Sequence, residues 1–391
     1  MIPLNKPCIK SASGKYGGYA DFMFSNFRGL NSYVLSSAAD GLHLIYKSLY
    51  EKRGTLKVGV SPLACFQAIY PIVQNGHIPV FVDIDDKTFN MDIDNLMKYP
   101  VVDVLEVIHF GGNPNEMDVL CEWARNKHVL LIEDCAQALG AYYKGKMVGN
   151  FGDYSVFSLI KNLYSISGGL LLSKGMMTHT YPLLPEQIVL YKRIKRFLEA
   201  HCSYKKCNLY NILYYILLSI KERGGGYINE KCFQLSDTVM KEVVACMSQI
   251  TDYNTVRVTN AEYMVNLIDD SKYVVQQVIE GGTSNRNRLL FKSVNIPAID
   301  IIKYLRKHGI AANNLTQNYL NGYQPNVKED SVLSGYCNSS DIQCYENTFP
   351  FIFSIPNSPF LSKEEMNYIT KLLKVKINSG SALYGQCKKR L

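Results

Sequence analysis

The stretch VLLIEDCAQALGAYYKGKMVGNFGDYSVFSLIKNLYSISGGLLLSK, Val129 to Lys174, decides the fold. Its opening run Val129-Leu130-Leu131-Ile132 is apolar at every position and stops abruptly at Glu133-Asp134. That is the pattern of a parallel-sheet strand buried on both faces, delivering a carboxylate at its C-terminal end. Open α/β sheets hold their ligands at those ends. A Gly-punctuated segment next predicts a hairpin, a short apolar stretch then carries one charge, Lys161, and Gly168-Gly169 leads into another apolar strand. An acid and an amine thus arrive at strand ends within one compact unit.

Upstream the alternation repeats. Tyr33-Val34-Leu35 predicts a short strand running into Ser36-Ser37-Ala38-Ala39-Asp40, after which Leu42, Leu44, Ile45 and Leu49 recur at helical spacing. Small residues in such a turn let backbone N–H groups approach an anion at the helix N-terminus, and they serve equally as an ordinary cap. Leu56 to Val60 is a strand ending at Ser61-Pro62, and Phe66 opens the apolar face of a helix with Ile69, Ile72 and Val73. Pro79 to Asp83 is a strand ending in acid, and Val101 to Ile108 one that finishes in His109-Phe110-Gly111-Gly112. Asp92-Ile93-Asp94 and Met117 to Arg125 supply the helices between. Strand and helix alternating through Lys174 predict an α/β fold with a mostly parallel, doubly wound sheet.

Downstream the character changes. Gly175 to about Leu235 reads as Tyr-rich, Lys-rich amphipathic helices broken by Gly224-Gly225-Gly226, and residues 1–30 show no clear periodicity. Ser236 to Leu267 predicts one or two helices, Val274 to Ile279 and Arg288 to Val294 antiparallel strands, and Ile299 to His308 a helix stopped by Gly309. Residues 311–348 are polar and loop-rich; Phe351 to Ile355 is apolar; Ser362-Lys363-Glu364-Glu365 caps a last helix with Met366, Ile369, Leu372 and Leu373 inward. The tail after Ser379 is expected to fray. We therefore divide the chain into a large domain, residues 1–240, with an atypical helical segment at 175–235, and a smaller C-terminal α+β domain, residues 241–391.

With 391 residues, 47% hydrophobic and 19% charged, there is room for a large core, and a chain dominated by disorder is excluded. The net charge of +8 is modest, and the basic residues are spread except around Lys192 to Lys206, so nucleic acid is not an expected partner. The eleven cysteines are scattered with no CxxC pair, which argues for a reducing, cytoplasmic compartment rather than a disulfide framework or a zinc site; no metal is expected. The N-terminus, MIPLNKPCIK, lacks a signal-peptide profile. Leu209 to Ile220 (LYNILYYILLSI) is shorter than the ~20 residues a bilayer span needs and predicts a buried or interfacial helix.

Taken singly, a strand-end acid, a lysine and an aromatic have ordinary structural explanations. Together, Lys161, Asp134, Phe66 and the turn Ser37 to Asp40 are the parts that pyridoxal phosphate needs. These are an amine for its Schiff base, a carboxylate to keep the pyridinium protonated, an aromatic face and N–H donors for the phosphate. An opposite charge within ~4–6 Å holds the pyridinium form.

The segments PVFVDID (Pro79 to Asp85), VIHFGGNPNEMD (Val107 to Asp118), IEDCAQALGAYYKGKMVGNFGD (Ile132 to Asp153), FSLIKN (Phe157 to Asn162) and SGGLL (Ser167 to Leu171) go further. In these the chain resembles the sugar aminotransferases of the DegT/DnrJ/EryC1/StrS family, fold-type I pyridoxal phosphate enzymes. The resemblance runs from about Tyr33 to Lys174 and again around Arg257 to Leu373. It implies that Lys161 is the catalytic, cofactor-bearing lysine, that Asp134 pairs with the pyridine nitrogen, and that Gln137 lies near the ring hydroxyl. It further implies an aromatic stacked on the ring, at Phe66 or, by an ungapped count back from Pro79, at the place of Cys65. Ser158 falls on a phosphate-contacting serine, Ala38-Ala39 fall on a phosphate-binding Gly-Thr pair, and His109 lies near the substrate or serves its strand end structurally.

The resemblance also implies glutamate as the amino donor, a nucleotide-linked keto-sugar as acceptor, a role in polysaccharide or amino-sugar biosynthesis, and a homodimer. Relatives with histidine in place of the lysine perform dehydration, so a retained Lys161 favours amino transfer. Three departures stand out. Ala38-Ala39 removes a hydroxyl from the phosphate turn. The Ser158 to Lys161 spacing is about two residues short, which leaves Ser155 as an alternative phosphate ligand. Gly224 to Leu235 lacks the Asn-x-Arg pattern by which a neighbouring subunit completes the site. Two other readings remain: a catalytically altered or regulatory member of the same fold, and a membrane-surface or partner-binding protein. The second would use Lys192 to Lys206 and residues 207–221 and is compatible with catalysis.

Overall fold

A computed structural model describes residues 1–3, 6–7, 17–98, 102–177, 181–204, 209–223, 232–315, 323–375 and 377. The break at Gly224-Gly225-Gly226, most of the stretch lacking Asn-x-Arg, Lys205, Lys206 and the tail after Ser379 lie outside them.

Strands β1 (Asn31–Leu35), β2 (Lys57–Val60), β3 (Ile78–Phe81), β4 (Val104–Ile108) and β5 (Leu130–Asp134) lead to the hairpin β6 (Tyr142–Tyr143) and β7 (Lys146–Met147). β8 (Tyr154–Ser158) and β9 (Gly169–Ser173) follow. Among the described residues a seven-stranded sheet has the order β1-β9-β8-β5-β4-β2-β3. From β3 through β8 neighbours are parallel, and β9 is antiparallel to both β8 and β1. The unbroken apolar runs follow from the pleat. On β4, Val104 and Ile108 join Leu42, Ile45 and Leu49 of the helix Ala38–Arg53 in one core, whereas Leu105 and Val107 join Met117, Leu120 and Trp123 of the helix Met117–Lys127 in another. With both faces buried, both residue parities must be apolar.

The rest of the chain adds β10 (Tyr273–Val275), β11 (Gly282–Thr283), β12 (Leu289–Ser293) and β13 (Ile352–Ile355). β10-β12-β13 is an antiparallel sheet, and β11 pairs instead with β6. Its core is shared with the helices Ile250–Val265, Ala298–Lys307 and Lys363–Lys374, the last opened by the capping box of Ser362 and Glu365. Ile2 also belongs to this core, its N–H donating to the Gly309 carbonyl at 2.6 Å.

Several elements differ from the sequence expectation. The strand expected over Val274 to Ile279 ends at Val275: the Gln276 N–H still donates to the Leu290 carbonyl at 3.0 Å, but the Gln277 N–H turns to the Lys87 carbonyl at 2.9 Å, and the Gln276 side chain donates to the Thr88 and Phe110 carbonyls at 2.6 and 3.1 Å. Residues 1–30 contain the helix Gly17–Asn26; behind it Phe27 packs on Phe157 with ring centroids 5.4 Å apart, a contact that local periodicity does not encode. Asp83 stands beyond its strand, and its carboxylate accepts the Cys344 and Tyr345 N–H groups at 2.7 Å each, a structural clamp on the helix Gln343–Thr348.

Candidate active site

Asp134 ends β5, and its Oδ1 accepts the Ala136 N–H at 2.8 Å. Burial pushes its carboxyl above the usual carboxylate range, while the Lys161 ammonium, that N–H and His109 pull it back. A charge buried this way needs a compensating partner.

β8 ends at Ser158, whose hydroxyl accepts the Lys161 N–H at 3.4 Å and caps the helix Leu159–Leu163. This short helix is clamped at two further points: Asn162 Nδ2 donates to the Ala136 carbonyl at 2.9 Å, and Asn287 Nδ2 to the Lys161 carbonyl at 3.0 Å. Lys161 and Asp134 are thereby held over adjacent strand ends. Burial lowers the proton affinity of the Lys161 amine and Arg288 lowers it further, against Cys65 and Asp134, which raise it. The amine thus gives up its proton more readily than an exposed lysine does.

The turn opening the helix Ala38–Arg53 closes the other side. Ser37 Oγ accepts the Asp40 N–H at 3.1 Å, Ser36 Oγ bonds to the Asp40 carboxylate, and the Ser36 carbonyl accepts the Gly168 N–H and Ser167 hydroxyl at 2.9 and 2.8 Å. Ser158 and Gly169 are Cα partners, and a Cβ on Gly169 would stand 2.2 Å from the Ser37 carbonyl carbon and 2.4 Å from the Ala38 nitrogen. Only glycine permits that approach, which brings Ser158 beside the Ala38-Ala39 N–H groups. The alternative, Ser155, has the opposite parity: its hydroxyl donates to the Gly149 carbonyl at 2.9 Å, whereas Val156 faces Gly41 of the helix. Alternation along the strand therefore puts Ser158, and not Ser155, with the turn.

Other expected residues are relocated. Cys65, N-cap of the helix Phe66–Gln74, is the side chain that shares electrostatic interactions with Lys161 and Asp134; Phe66 sets its ring edge-on to Tyr70 at 5.5 Å. The structure thus faces a thiol toward Lys161 at the place where an aromatic was expected. Gln137 reaches across from the end of β5, its Oε1 accepting the Gly111 N–H at 3.1 Å. His109 is fully buried, and its Nδ1 accepts the Asn115 N–H at 3.1 Å, so Nε2 carries the proton that points to Glu133 at 3.3 Å. Glu133 accepts three further N–H bonds, from Gly149, Phe151 and Gly152, at 2.7 Å each. With both nitrogens engaged, His109 braces the two strand ends. His109, Glu133 and Cys135 offer donor atoms within 4.8 Å of one another, but these hydrogen bonds already use the His109 and Glu133 atoms a metal would take.

Sequence reasoning missed Arg288. It lies at the start of β12, its N–H donating to the Gly111 carbonyl at 3.2 Å, and its guanidinium acts on both Lys161 and Cys65. Burial holds its own pKa down to about 10. The signal was the polar run Ser284-Asn285-Arg286-Asn287-Arg288 directly before an apolar strand, too polar for a sheet interior without a task. Arg288→Gln is expected to move Lys161 titration to higher pH, since it removes a neighbouring cation. The pH profile of Lys161 labelling by an amine-reactive reagent measures this, and an unshifted or lowered profile contradicts the assignment.

Residues 22–206 match the DegT/DnrJ/EryC1/StrS aminotransferase family. The GDP-perosamine synthase of Escherichia coli O157:H7 is 32% identical over 144 residues, 36% of this chain and 39% of that protein. The chain spans about two-fifths of the length of the first curated relatives it matches. Over the whole fold, Helicobacter pylori PseC, an aminotransferase involved in the biosynthesis of pseudoaminic acid, has a TM-score of 0.67 at 15% identity, covering 95% of this chain and 98% of that one. E coli GDP-4-keto-6-deoxy-D-mannose-3-dehydratase with bound hydrated PLP has a TM-score of 0.67 at 18% identity, covering 96% and 99%. The α/β architecture with its mostly parallel central sheet is the one these structures share. The resemblance noted around Arg257 to Leu373 falls outside the matched residues.

Proposed function

We propose, from the match of residues 22–206 to the DegT/DnrJ/EryC1/StrS aminotransferase family, that this chain is a pyridoxal phosphate-dependent aminotransferase. It would move the amino group of an amino acid, glutamate by family resemblance, onto a nucleotide-linked keto-sugar for polysaccharide or amino-sugar synthesis. The observation that carries this reading is the pairing of Lys161 with Asp134 over adjacent strand ends.

The residues fit the cofactor. Asp134 is a buried carboxylate whose raised proton affinity a protonated ring nitrogen would offset. The Ala38-Ala39 N–H groups, with Ser158 beside them and Gly169 leaving the space open, form an anion cup at a helix N-terminus. When bound there, pyridoxal phosphate supplies an electron sink for the carbon that loses its proton. Lys161 Nζ would be the group that holds the cofactor and the base positioned for the proton of the donor α-carbon. Burial and Arg288 lower that amine's proton affinity. Asp134 would keep the ring nitrogen charged and Gln137 would lie toward its hydroxyl, with Cys65 interacting with Lys161. Every described cysteine is a thiol, which suits a reducing cytoplasm. A homodimer is part of the same proposal.

Purified protein loaded with pyridoxal phosphate should show the absorbance of a lysine-bound cofactor. L-glutamate should then bleach that band and release 2-oxoglutarate, and a nucleotide-linked keto-sugar should restore it. A protein that binds no cofactor, or whose band glutamate leaves unchanged, refutes the proposal.

A further inference from the structure

The donors of the candidate cup, the Ala38 and Ala39 N–H groups and the Ser158 hydroxyl, carry no formal charge, and Asp40 follows them directly in the chain. The Asp40 carboxylate is buried and accepts a hydrogen bond from Ser36 Oγ. A phosphate ester carries about −1.5 to −2 charges at pH 7. Setting that charge near a buried carboxylate is unfavourable unless a cation stands beside them.

The helix Glu186–His201 brings one. Lys192 Nζ donates to Ser167 Oγ at 2.7 Å, the Ser167 hydroxyl donates to the Ser36 carbonyl at 2.8 Å, and the Gly168 N–H reaches the same carbonyl at 2.9 Å. The Gly168 carbonyl in turn accepts the Leu159 N–H at 3.0 Å. The segment that Lys192 holds therefore also anchors the start of the helix bearing Lys161. Burial pushes the Asp40 carboxyl up, while its Ser36 and Ser37 hydrogen bonds and the Lys192 ammonium draw it back down. Arg196, one turn further along the helix, is directed elsewhere: it donates to the Ser165 carbonyl at 3.3 Å, and its charge acts on Glu199, Cys246, Tyr164 and Tyr253. Lys192 is thus the cation that this helix gives to the turn.

We propose that Lys192 is a positioning residue for the cofactor phosphate: from behind the turn it balances the charge of Asp40 and, through Ser167, fixes the Ser36 peptide, so that the Ala38 and Ala39 N–H groups hold a dianion. The inference rests on the aminotransferase reading. It gives the atypical helical segment 175–235 a task in the site, set by a contact between side chains 25 residues apart in the chain.

The test compares binding of pyridoxal phosphate with binding of pyridoxal, which has the same ring and aldehyde and no phosphate, to the full chain, read by the absorbance of the lysine-bound form. In Lys192→Met and in Lys192→Gln, which keeps a donor for Ser167 but not the charge, the dissociation constant for pyridoxal phosphate is expected to rise about ten-fold or more. That for pyridoxal should change by less than about two-fold, since no charge of the ligand then meets the turn. Lys192→Arg, which keeps the charge, should stay near the parent for both. Variants that bind pyridoxal phosphate as tightly as the parent overturn the proposal, and so do variants that lose both ligands in equal measure, which would make Lys192 a strut of the fold. A parent chain that forms no lysine-bound band with pyridoxal phosphate overturns the aminotransferase reading itself, and this inference with it.

Discussion

Lys161→Ala, loaded with pyridoxal phosphate, is expected to lack the lysine-bound absorbance band and to lose turnover by at least about 10⁴-fold, the upper end of what one positioned acid–base group supplies. The expectation is that large because the proposal gives one side chain the roles of nucleophile and of base, so its removal takes both at once. The fold should survive. The clamps on the helix Leu159–Leu163 run through the Ser158 hydroxyl, the Lys161 carbonyl and the Asn162 amide rather than through the lysine amine. Alanine is also the best helix former. Thermal melting and single-turnover absorbance with glutamate separate the two possibilities. A variant that melts normally and still turns over within about ten-fold of the parent removes Lys161 from the chemistry.

Asp134→Asn should bind cofactor yet run the glutamate half-reaction roughly 10- to 10³-fold more slowly. An opposite charge at contact range moves a pKa by about 1–3 units, and the protonated fraction of the ring nitrogen falls accordingly when that charge is lost. Asparagine keeps the shape, and its amide oxygen can still accept the Ala136 N–H. Burial raises the proton affinity of Asp134, so a neutral replacement relieves a desolvation cost and stability should hold or rise. A second sign can be checked: Asp134 raises the proton affinity of Lys161, so its loss should shift Lys161 titration to lower pH, opposite to Arg288→Gln. A near-normal half-reaction rate would remove Asp134 from its role.

The candidate site divides by the kind of information each residue needed. Asp134, Lys161 and the turn Ser37 to Asp40 were legible because each sits at the end of a strand or the start of a helix, and local pattern locates such ends. The ambiguity between Ser155 and Ser158 came from a spacing count; the pleat of β8 puts only Ser158 on the side of the turn. Phe66 was the natural aromatic, and the helix does begin there, but its ring lies edge-on to Tyr70 while the cap residue Cys65 shares electrostatic interactions with Lys161. His109 looked available because a strand-end histidine gives no sign of what surrounds it, and its partners Glu133 and Asn115 become neighbours only on folding.

By itself the sequence determined the parallel sheet, the order of its elements and the acid–amine pair, because strands buried on both faces must be apolar throughout and must end where polar groups can meet a ligand. Only the tertiary structure decided that Arg288 acts on Lys161, that Gly169 lets its strand approach the turn at Ser37, and that Gln137 reaches the Gly111 N–H. Each of these is a contact between segments far apart in the chain, and sheet order and helix packing set such distances where no local residue pattern can.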